Sequence, residues 1–155
     1  IVTAAHCYDG DSASTWRVRL GSSRASAGGT MHEVSRLILH SGYLSLDYDF
    51  AIVKLAVAAT LSTSVQLASI AGPRYSLVEG SDVTAIGWGT LRTNGPSPEQ
   101  LQHVDVNVIS HELCAERYAY LKTQPGYSDW PDITDRMFCA GILNVGGKDA
   151  CQGDS

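Results

Sequence analysis

The sequence has 155 residues, of which 44% are apolar, 17% charged and 8% aromatic, a composition that excludes a disordered chain or a fibrous repeat. Its net charge is −5 with histidine neutral, so it has no electrostatic attraction to nucleic acid. Its apolar runs are short, since Lys54 interrupts the run that starts at Phe50, and none reaches the about 18 residues of a membrane helix. Neither nucleic acid nor a membrane is therefore expected as a partner.

Short β-strands are predicted along most of the chain. Val104, Val106 and Val108 alternate with polar residues, and this period of two places one side of a strand in a core and the other in solvent. Glycine and serine are spread throughout, which is typical of short strands joined by turns. The predicted strands are residues 15–20, 32–40, 50–55, 83–88 and 103–109. An all-β protein follows from this pattern.

One helix is predicted, over residues 111–120. Ser110 is a favourable N-cap residue, and Glu112 lies in the first turn, where the helix dipole stabilises a negative charge. The apolar stripe of this segment is short. We therefore expect a short surface helix that is held in place by Cys114.

The chain is predicted to divide into two β-rich halves. Residues 62–80, which include Pro73, have the composition of a loose connector. We therefore expect an N-terminal half in residues 1–70 and a C-terminal half in residues 71–155. Residues 123–135 contain two further prolines and predict a long exposed loop.

The four cysteines are Cys7, Cys114, Cys139 and Cys151, and their spacing is not that of a zinc site. Both reduced thiols in a cytosolic protein and disulfides in a secreted one are compatible with this pattern. Cys7 and Cys151 lie close to the two ends of the sequence. If their partners lie beyond those ends, the sequence is a piece of a longer chain.

Three segments contain residue types that can act together in catalysis. His6 follows small apolar residues, Asp49 lies at the entry to an apolar run, and Ser155 follows a glycine-bearing turn. Taken singly, each has an ordinary interpretation. His6 would be a surface or core histidine, Asp49 an acid in a turn before a strand, and the segment before Ser155 a simple turn. Together they form a chemical set, because a serine hydroxyl needs an imidazole to take its proton, and the imidazole needs a carboxylate to fix its tautomer. The order His, Asp, Ser is that of the chymotrypsin type.

Five motifs carry a resemblance to a known family. The sequence resembles the trypsin-like serine proteases of the chymotrypsin family, and the motifs follow the family's order. They are residues 3–7 (TAAHC), 49–55 (DFAIVKL), 87–89 (GWG), 138–141 (FCAG) and 149–155 (DACQGDS). The resemblance implies two six-stranded antiparallel β-barrels, both incomplete in this sequence. It also implies a secreted, monomeric enzyme without a cofactor.

The resemblance implies a role for each residue of the site. Ser155 would attack the scissile carbonyl, His6 would act as general base and then general acid, and Asp49 would orient His6. Asp49 is preferred to Asp47 because it directly precedes the following strand, as in the family motif. The backbone N–H groups of Gly153 and Ser155 would form the oxyanion hole.

Two further acids have implied roles. Asp149 lies six positions before Ser155, where trypsin-like members carry the carboxylate of the specificity pocket, which implies cleavage after Arg or Lys. The alternative is a solvated loop acid. Asp154 would pair with the N-terminal ammonium that activation creates. Ile1 superficially resembles such a terminus, but it belongs to the strand leading into His6, so we expect the activation site to lie upstream.

The resemblance also implies the disulfide pairing. Cys114 would pair with Cys139, whereas Cys7 and Cys151 would pair with cysteines upstream and downstream of this sequence. No calcium site is expected, because residues 21–33 lack an early acid, and no other metal is expected.

Three functions are compatible with these observations. The first is a digestive endopeptidase of the trypsin type, with proteins cleaved at Arg or Lys as substrates and protein inhibitors as possible partners. The second is a regulatory protease that processes one partner. The third is a catalytically inactive homologue that binds other proteins, although such proteins usually lack one of the three residues present here. Because strands of both barrels are absent, residues 1–155 alone are expected to be inactive and marginally stable.

Overall fold

The computed structural model describes residues 1–154, and Ser155 lies outside the described residues. Within this range the strands form two antiparallel sheets, and a single α-helix follows the sixth strand. The elements are β1 (Val2–Thr3), β2 (Arg17–Leu20), β3 (Thr30–Leu39), β4 (Ala51–Leu55), β5 (Asp82–Gly87), β6 (Gln102–Ile109), α1 (His111–Lys122) and β7 (Cys139–Gly141). The predicted all-β character is confirmed for this part of the chain.

The first sheet has the strand order β1-β4-β3-β2. Strand β4 is central, and its side chains alternate as the period of two requires: Ala51 and Val53 are buried, whereas Ile52 is exposed. On one side β4 pairs with β1, where Thr3 lies opposite Ala51. This pairing confirms that the first residues form a strand leading into His6. It also places that strand beside the start of β4.

The second sheet has the strand order β5-β6-β7. Val106 and Val108 of β6 are buried, as their alternation with polar residues predicts. Strand β7 pairs with the end of β6, where Ile109 lies opposite Cys139. Strand β7 was not predicted, because three residues are too few to display a period.

The predicted helix is confirmed, and it extends two residues further, to Lys122. Ser110 caps it: its hydroxyl accepts the backbone N–H of Leu113 at 3.2 Å. Cys114 is buried on its inner side and forms a disulfide with Cys139 of β7. The helix is therefore attached to the second sheet by a covalent bond. No helix in residues 1–154 is long and apolar enough to cross a membrane.

The first residues of two strands differ from the prediction, for two different reasons. The strand predicted from residue 15 begins at Arg17, because Ala13–Thr15 form a 3₁₀ turn capped by the Ser12 hydroxyl. Strand β3 begins two residues earlier than predicted, since its first residue, Thr30, still pairs with Leu20 of β2.

Backbone contacts join the two halves of the chain. The N–H of Ala25 donates to the carbonyl of Glu99 at 2.9 Å, and the N–H of Leu101 donates to the carbonyl of Ser23 at 2.8 Å. Among the described residues, those between β4 and β5 contribute no strand to either sheet. A domain boundary near residue 70 stays a prediction.

Burial in β4 leads to a testable difference between neighbouring residues. Val53 is 1% exposed and Ile52 is 42% exposed. In the full-length protein, Val53→Ala should lower the free energy of unfolding by about 2–3 kcal/mol, because it removes buried methyl groups and leaves a cavity. The matched control Ile52→Ala removes more atoms from the exposed side and should cost about 1 kcal/mol or less. Urea denaturation measures both, and equal losses would contradict the assigned orientation of β4.

Candidate active site

His6 and Asp49 form the closest pair of predicted site residues. His6 Nδ1 lies 2.6 Å from Asp49 Oδ2, and the backbone N–H of His6 donates to Asp49 Oδ1 at 2.8 Å. A carboxylate can only accept hydrogen bonds, so Nδ1 carries the proton of the neutral ring and Nε2 keeps its lone pair. Because one carboxylate binds both the ring and the backbone of His6, the imidazole is held in one orientation.

The first sheet brings these two residues together. His6 follows β1 and Asp49 precedes β4, and the two strands are paired at this end, with Thr3 opposite Ala51. Ala5 is completely buried, whereas Thr3 and Ala4 are half-buried. The residue directly before His6 is therefore part of the core.

The loop before Asp49 has an unusual backbone. Ser45, Leu46 and Tyr48 have φ angles of 49°, 71° and 51°. Residues other than glycine rarely adopt this left-handed region, and each one costs about 1–3 kcal/mol, which surrounding contacts must offset. The ring of Tyr48 stacks on His40, with 4.8 Å between ring centroids.

Asp47 is engaged by the other half of the chain. Arg136 donates from Nε to Asp47 Oδ1 at 2.8 Å, and its terminal nitrogen pairs with Oδ2. Thr134 donates its hydroxyl to the same carboxylate at 3.1 Å. These contacts, above all the Arg136 hydrogen bonds, lower the pKa of Asp47 to about 2. The structure therefore brings Asp49, and not Asp47, to His6.

Asp154 lies against the end of β5. Its carboxylate accepts the backbone N–H of Gly89 at 2.7 Å and that of Cys151 at 2.8 Å. A Cβ atom on Gly87 or Gly89 would overlap this carboxylate. The GWG motif was identified in the sequence, but its contact with Asp154 was not predicted. The two glycines were the signal, since close approach of another group is a common reason for glycine.

Asp149 and Gly153 lie in the last described segment. Asp149 is exposed, and its Oδ1 accepts the backbone N–H of Ala150 at 2.8 Å. It borders two cavities of about 410 Å³ and 690 Å³. Gly153 has a φ of 95°, a conformation that favours glycine. Ser155, the predicted nucleophile and second oxyanion donor, lies outside the described residues.

Cys7 and Cys151 form no disulfide within residues 1–154. The Sγ atom of Cys7 lies 3.5 Å from Nε2 of His6. Burial and the nearby charge of Asp49 raise the pKa of the Cys7 thiol, which keeps it protonated and weakly nucleophilic. In the same described range, no group of three or more histidine, cysteine or acidic residues is placed to hold a metal ion.

A family model described as "Trypsin" matches residues 1–155. The chain belongs to the trypsin family. It is 43% identical over 157 residues to Trypsin, alkaline A of Manduca sexta and 40% identical over 157 residues to Trypsin CFT-1 of Choristoneura fumiferana. Each alignment covers 100% of this chain and 58% of the relative, so this trypsin-family chain spans a little over half the length of these relatives.

Two further similarities concern the sequence and the fold, respectively. The chain is 39% identical to Achelase-1 of Lonomia achelous, with 100% of this chain and 72% of the relative aligned. Its structure is similar to a crystal structure of the scabies mite inactivated protease paralogue S-D1, with a TM-score of 0.80 at 22% identity. That match covers 90% of this chain and 58% of the other. The predicted all-β, trypsin-like fold is confirmed, and the two open antiparallel sheets are consistent with two incomplete barrels.

The contact between Asp154 and the GWG motif can be tested with two glycines of the same protein. Gly89→Ala should lower the free energy of unfolding by about 1–3 kcal/mol, because the new methyl group displaces the Asp154 carboxylate. Gly72→Ala is the matched control, since a Cβ atom there meets nothing within 4 Å. Urea denaturation of the full-length variants measures the difference. Equal stabilities would show that Asp154 does not bind there.

Proposed function

We propose that the protein containing this chain is a secreted serine endopeptidase of the digestive trypsin type that hydrolyses peptide bonds after Arg or Lys. The observation that carries the proposal is the pair of hydrogen bonds from His6 to Asp49, at 2.6 and 2.8 Å. They place the ring proton on Nδ1, so Nε2 keeps the lone pair that a general base requires. In residues 1–154 this lone pair faces the Cys7 thiol, whose Sγ lies 3.5 Å away. Membership of the trypsin family and the identity to insect trypsins support the same activity.

The proposed mechanism assigns one step to each residue. The Oγ atom of Ser155 attacks the scissile carbonyl carbon while Nε2 of His6 takes its proton. The carbon–nitrogen bond then breaks, and His6 gives that proton to the leaving amine. Asp49 stabilises the imidazolium that exists between these transfers. Water hydrolyses the resulting acyl-enzyme by the same proton path.

The oxyanion hole is assigned to the backbone N–H groups of Gly153 and Ser155. Each such donor contributes roughly 3–4 kcal/mol of transition-state stabilisation in comparable sites. Asp154 supports this assignment, because its carboxylate holds the turn from Cys151 onward against Gly89. We also assign to Asp154 the pairing with the ammonium group that activation would create.

Asp149 is proposed as the residue that selects basic substrates. A carboxylate that is desolvated by a bound side chain favours a guanidinium or ammonium group over neutral groups. Asp149 lies beside both cavities and precedes the turn that contains Gly153, and this position supports the role.

The remaining proposals concern the whole protein. We propose that it acts as a monomer without a cofactor or metal, that protein inhibitors can bind it, and that residues 1–70 and 71–155 belong to separate barrels. The Cys114–Cys139 disulfide supports a secreted location, because such bonds form in oxidising compartments.

The activity is tested on the activated full-length protein. His6→Ala and Asp49→Asn should each lower kcat for an arginine amide substrate by about 10⁴-fold or more, with a smaller effect on KM. The exposed His111, which lines neither cavity beside Asp149, provides the matched control His111→Ala, which should keep the wild-type rate. A fluorophosphonate probe should label Ser155 in the wild type. A wild-type protein that neither reacts with the probe nor cleaves the substrate would instead be a non-catalytic binding protein.

The specificity is tested by exchanging one acid. Asp149→Ser should lower the ratio of kcat/KM for an arginine substrate over a leucine substrate by about 10³-fold, because the arginine loses its charged partner. Asp129→Ser, in an exposed loop, is the control and should leave the ratio unchanged. Cleavage after Arg that persists in Asp149→Ser would identify Asp149 as a solvated loop acid.

A further inference from the structure

The carboxylate of Asp47 is surrounded by hydrogen-bond donors, although it lies in a loop at the surface. Arg136 binds both of its oxygens, and the Thr134 hydroxyl adds a third bond. The backbone N–H of Tyr48 donates to the same carboxylate at 3.0 Å. The donors Arg136 and Thr134 come from the loop that leads to β7, so this acid is fixed from the opposite half of the chain.

Tyr48 separates Asp47 from Asp49, and its backbone is in the left-handed region with a φ of 51°. Its ring is contacted twice: it stacks on His40 with an angle of 2° between the planes, and the Arg136 guanidinium carbon lies 4.3 Å from its centroid. A guanidinium near the face of a tyrosine ring is attracted to it. Arg136 therefore holds both Asp47 and the strained residue next to it.

The direction of Asp49 depends on this strained backbone. The N–H of Phe50 donates to the carbonyl of Tyr48 at 2.7 Å, so the turn closes directly around Asp49. If Tyr48 relaxed to an ordinary φ, the Cα–Cβ bond of Asp49 would point elsewhere, and its two hydrogen bonds to His6 would be lost. A residue other than glycine keeps such a backbone conformation only when several surrounding contacts hold it there.

We propose that Asp47 and Arg136 are positioning residues for the reaction, which keep Tyr48 in the strained conformation that presents Asp49 to His6. The inference rests on the proposed function, because it concerns how the general base is oriented. Exposed ion pairs in general add little to stability. This one differs because it is bidentate and spans 89 positions.

The charges around His6 permit a clear test. Asp47 has its pKa lowered to about 2, mainly by Arg136, so this pair keeps its charge between pH 5 and 8, where histidine titrates. The other titratable groups around this loop are Cys7, Tyr43, Asp9 beside Tyr43, and His40, whose ring stacks on Tyr48. The pKa of Tyr43 is raised, through desolvation and then the charge of Asp49, so its phenol stays protonated in that range. Cys7 does not titrate in the disulfide expected for the full-length protein, and as a thiol its pKa is raised by the same two causes.

The test compares Asp47→Asn with Arg136→Gln in the activated full-length protein. Both variants should lower kcat for an arginine amide, by up to about 10²-fold, with KM changed by less than about twofold, because the general base is misplaced. Both should also move the acid limb of the kcat/KM profile to lower pH, since an imidazolium without its carboxylate is less stable. If each variant acted only through the charge that it removes, the acid limb would move to lower pH in Asp47→Asn and to higher pH in Arg136→Gln. Opposite shifts, or unchanged kinetics with only a lower Tm, would overturn the proposal.

The matched controls are Arg24→Gln and Glu99→Gln. This ion pair also joins the two halves, with 3.5 Å between Arg24 Nε and Glu99 Oε1. Both controls should lower Tm without moving the acid limb. An acid limb that moves in the controls as well would assign the effect to any loosening of the two halves, and the proposal would fail.

A second readout does not depend on turnover. The proton on His6 Nδ1 should give a low-field NMR signal in the wild type and in both controls, and this signal should move to higher field or vanish in Asp47→Asn and Arg136→Gln. If the wild type shows no turnover but this pattern holds, the proposed function fails and the positioning role stands. An unchanged signal in both variants would overturn the positioning role.

Discussion

The antiparallel pairing of β1 with β4 is the contact on which the candidate site depends. It is only two residue pairs wide, yet it joins the chain just before His6 to the chain just after Asp49. Because β4 also pairs with β3 and buries Val53, the position of β1 is set by the core of the first sheet. The short distance between the imidazole and the carboxylate is therefore a consequence of strand register.

Asp47 and Asp49 show how environment separates two acids of the same type. They are two positions apart, and each binds a different nitrogen group. Asp47 binds the guanidinium of Arg136, and Asp49 binds the imidazole of His6. The guanidinium is permanently charged, so it neutralises Asp47 at every relevant pH. The imidazole is charged only when protonated, so Asp49 is paired with a group whose charge can change.

Most strands, the helix and the residue types of the candidate site were predictable from local sequence. The alternation around Val106 predicts β6, and Ser110 predicts the helix start, since both signals lie within a few residues. The partner of Asp47 was not predictable in this way, and Gly87 and Gly89 signalled a close approach without indicating that Asp154 makes it. Arg136 is 89 positions from Asp47, and no pattern near either residue indicates the other. Such contacts join segments that are distant in sequence, so their specificity lies in three-dimensional shape.

The contact of Asp154 with β5 makes side-chain length a determinant of backbone position. The carboxylate bridges the N–H groups of Gly89 and Cys151, so the aspartate acts as a spacer between the strand end and the turn at 151–154. Since a Cβ atom on Gly87 or Gly89 would overlap this carboxylate, the two glycines leave the gap that it fills. A glutamate has the same charge and the same acceptors, but its extra methylene would lift the turn away from the sheet. At this position the distance that a residue spans matters as much as the charge that it carries.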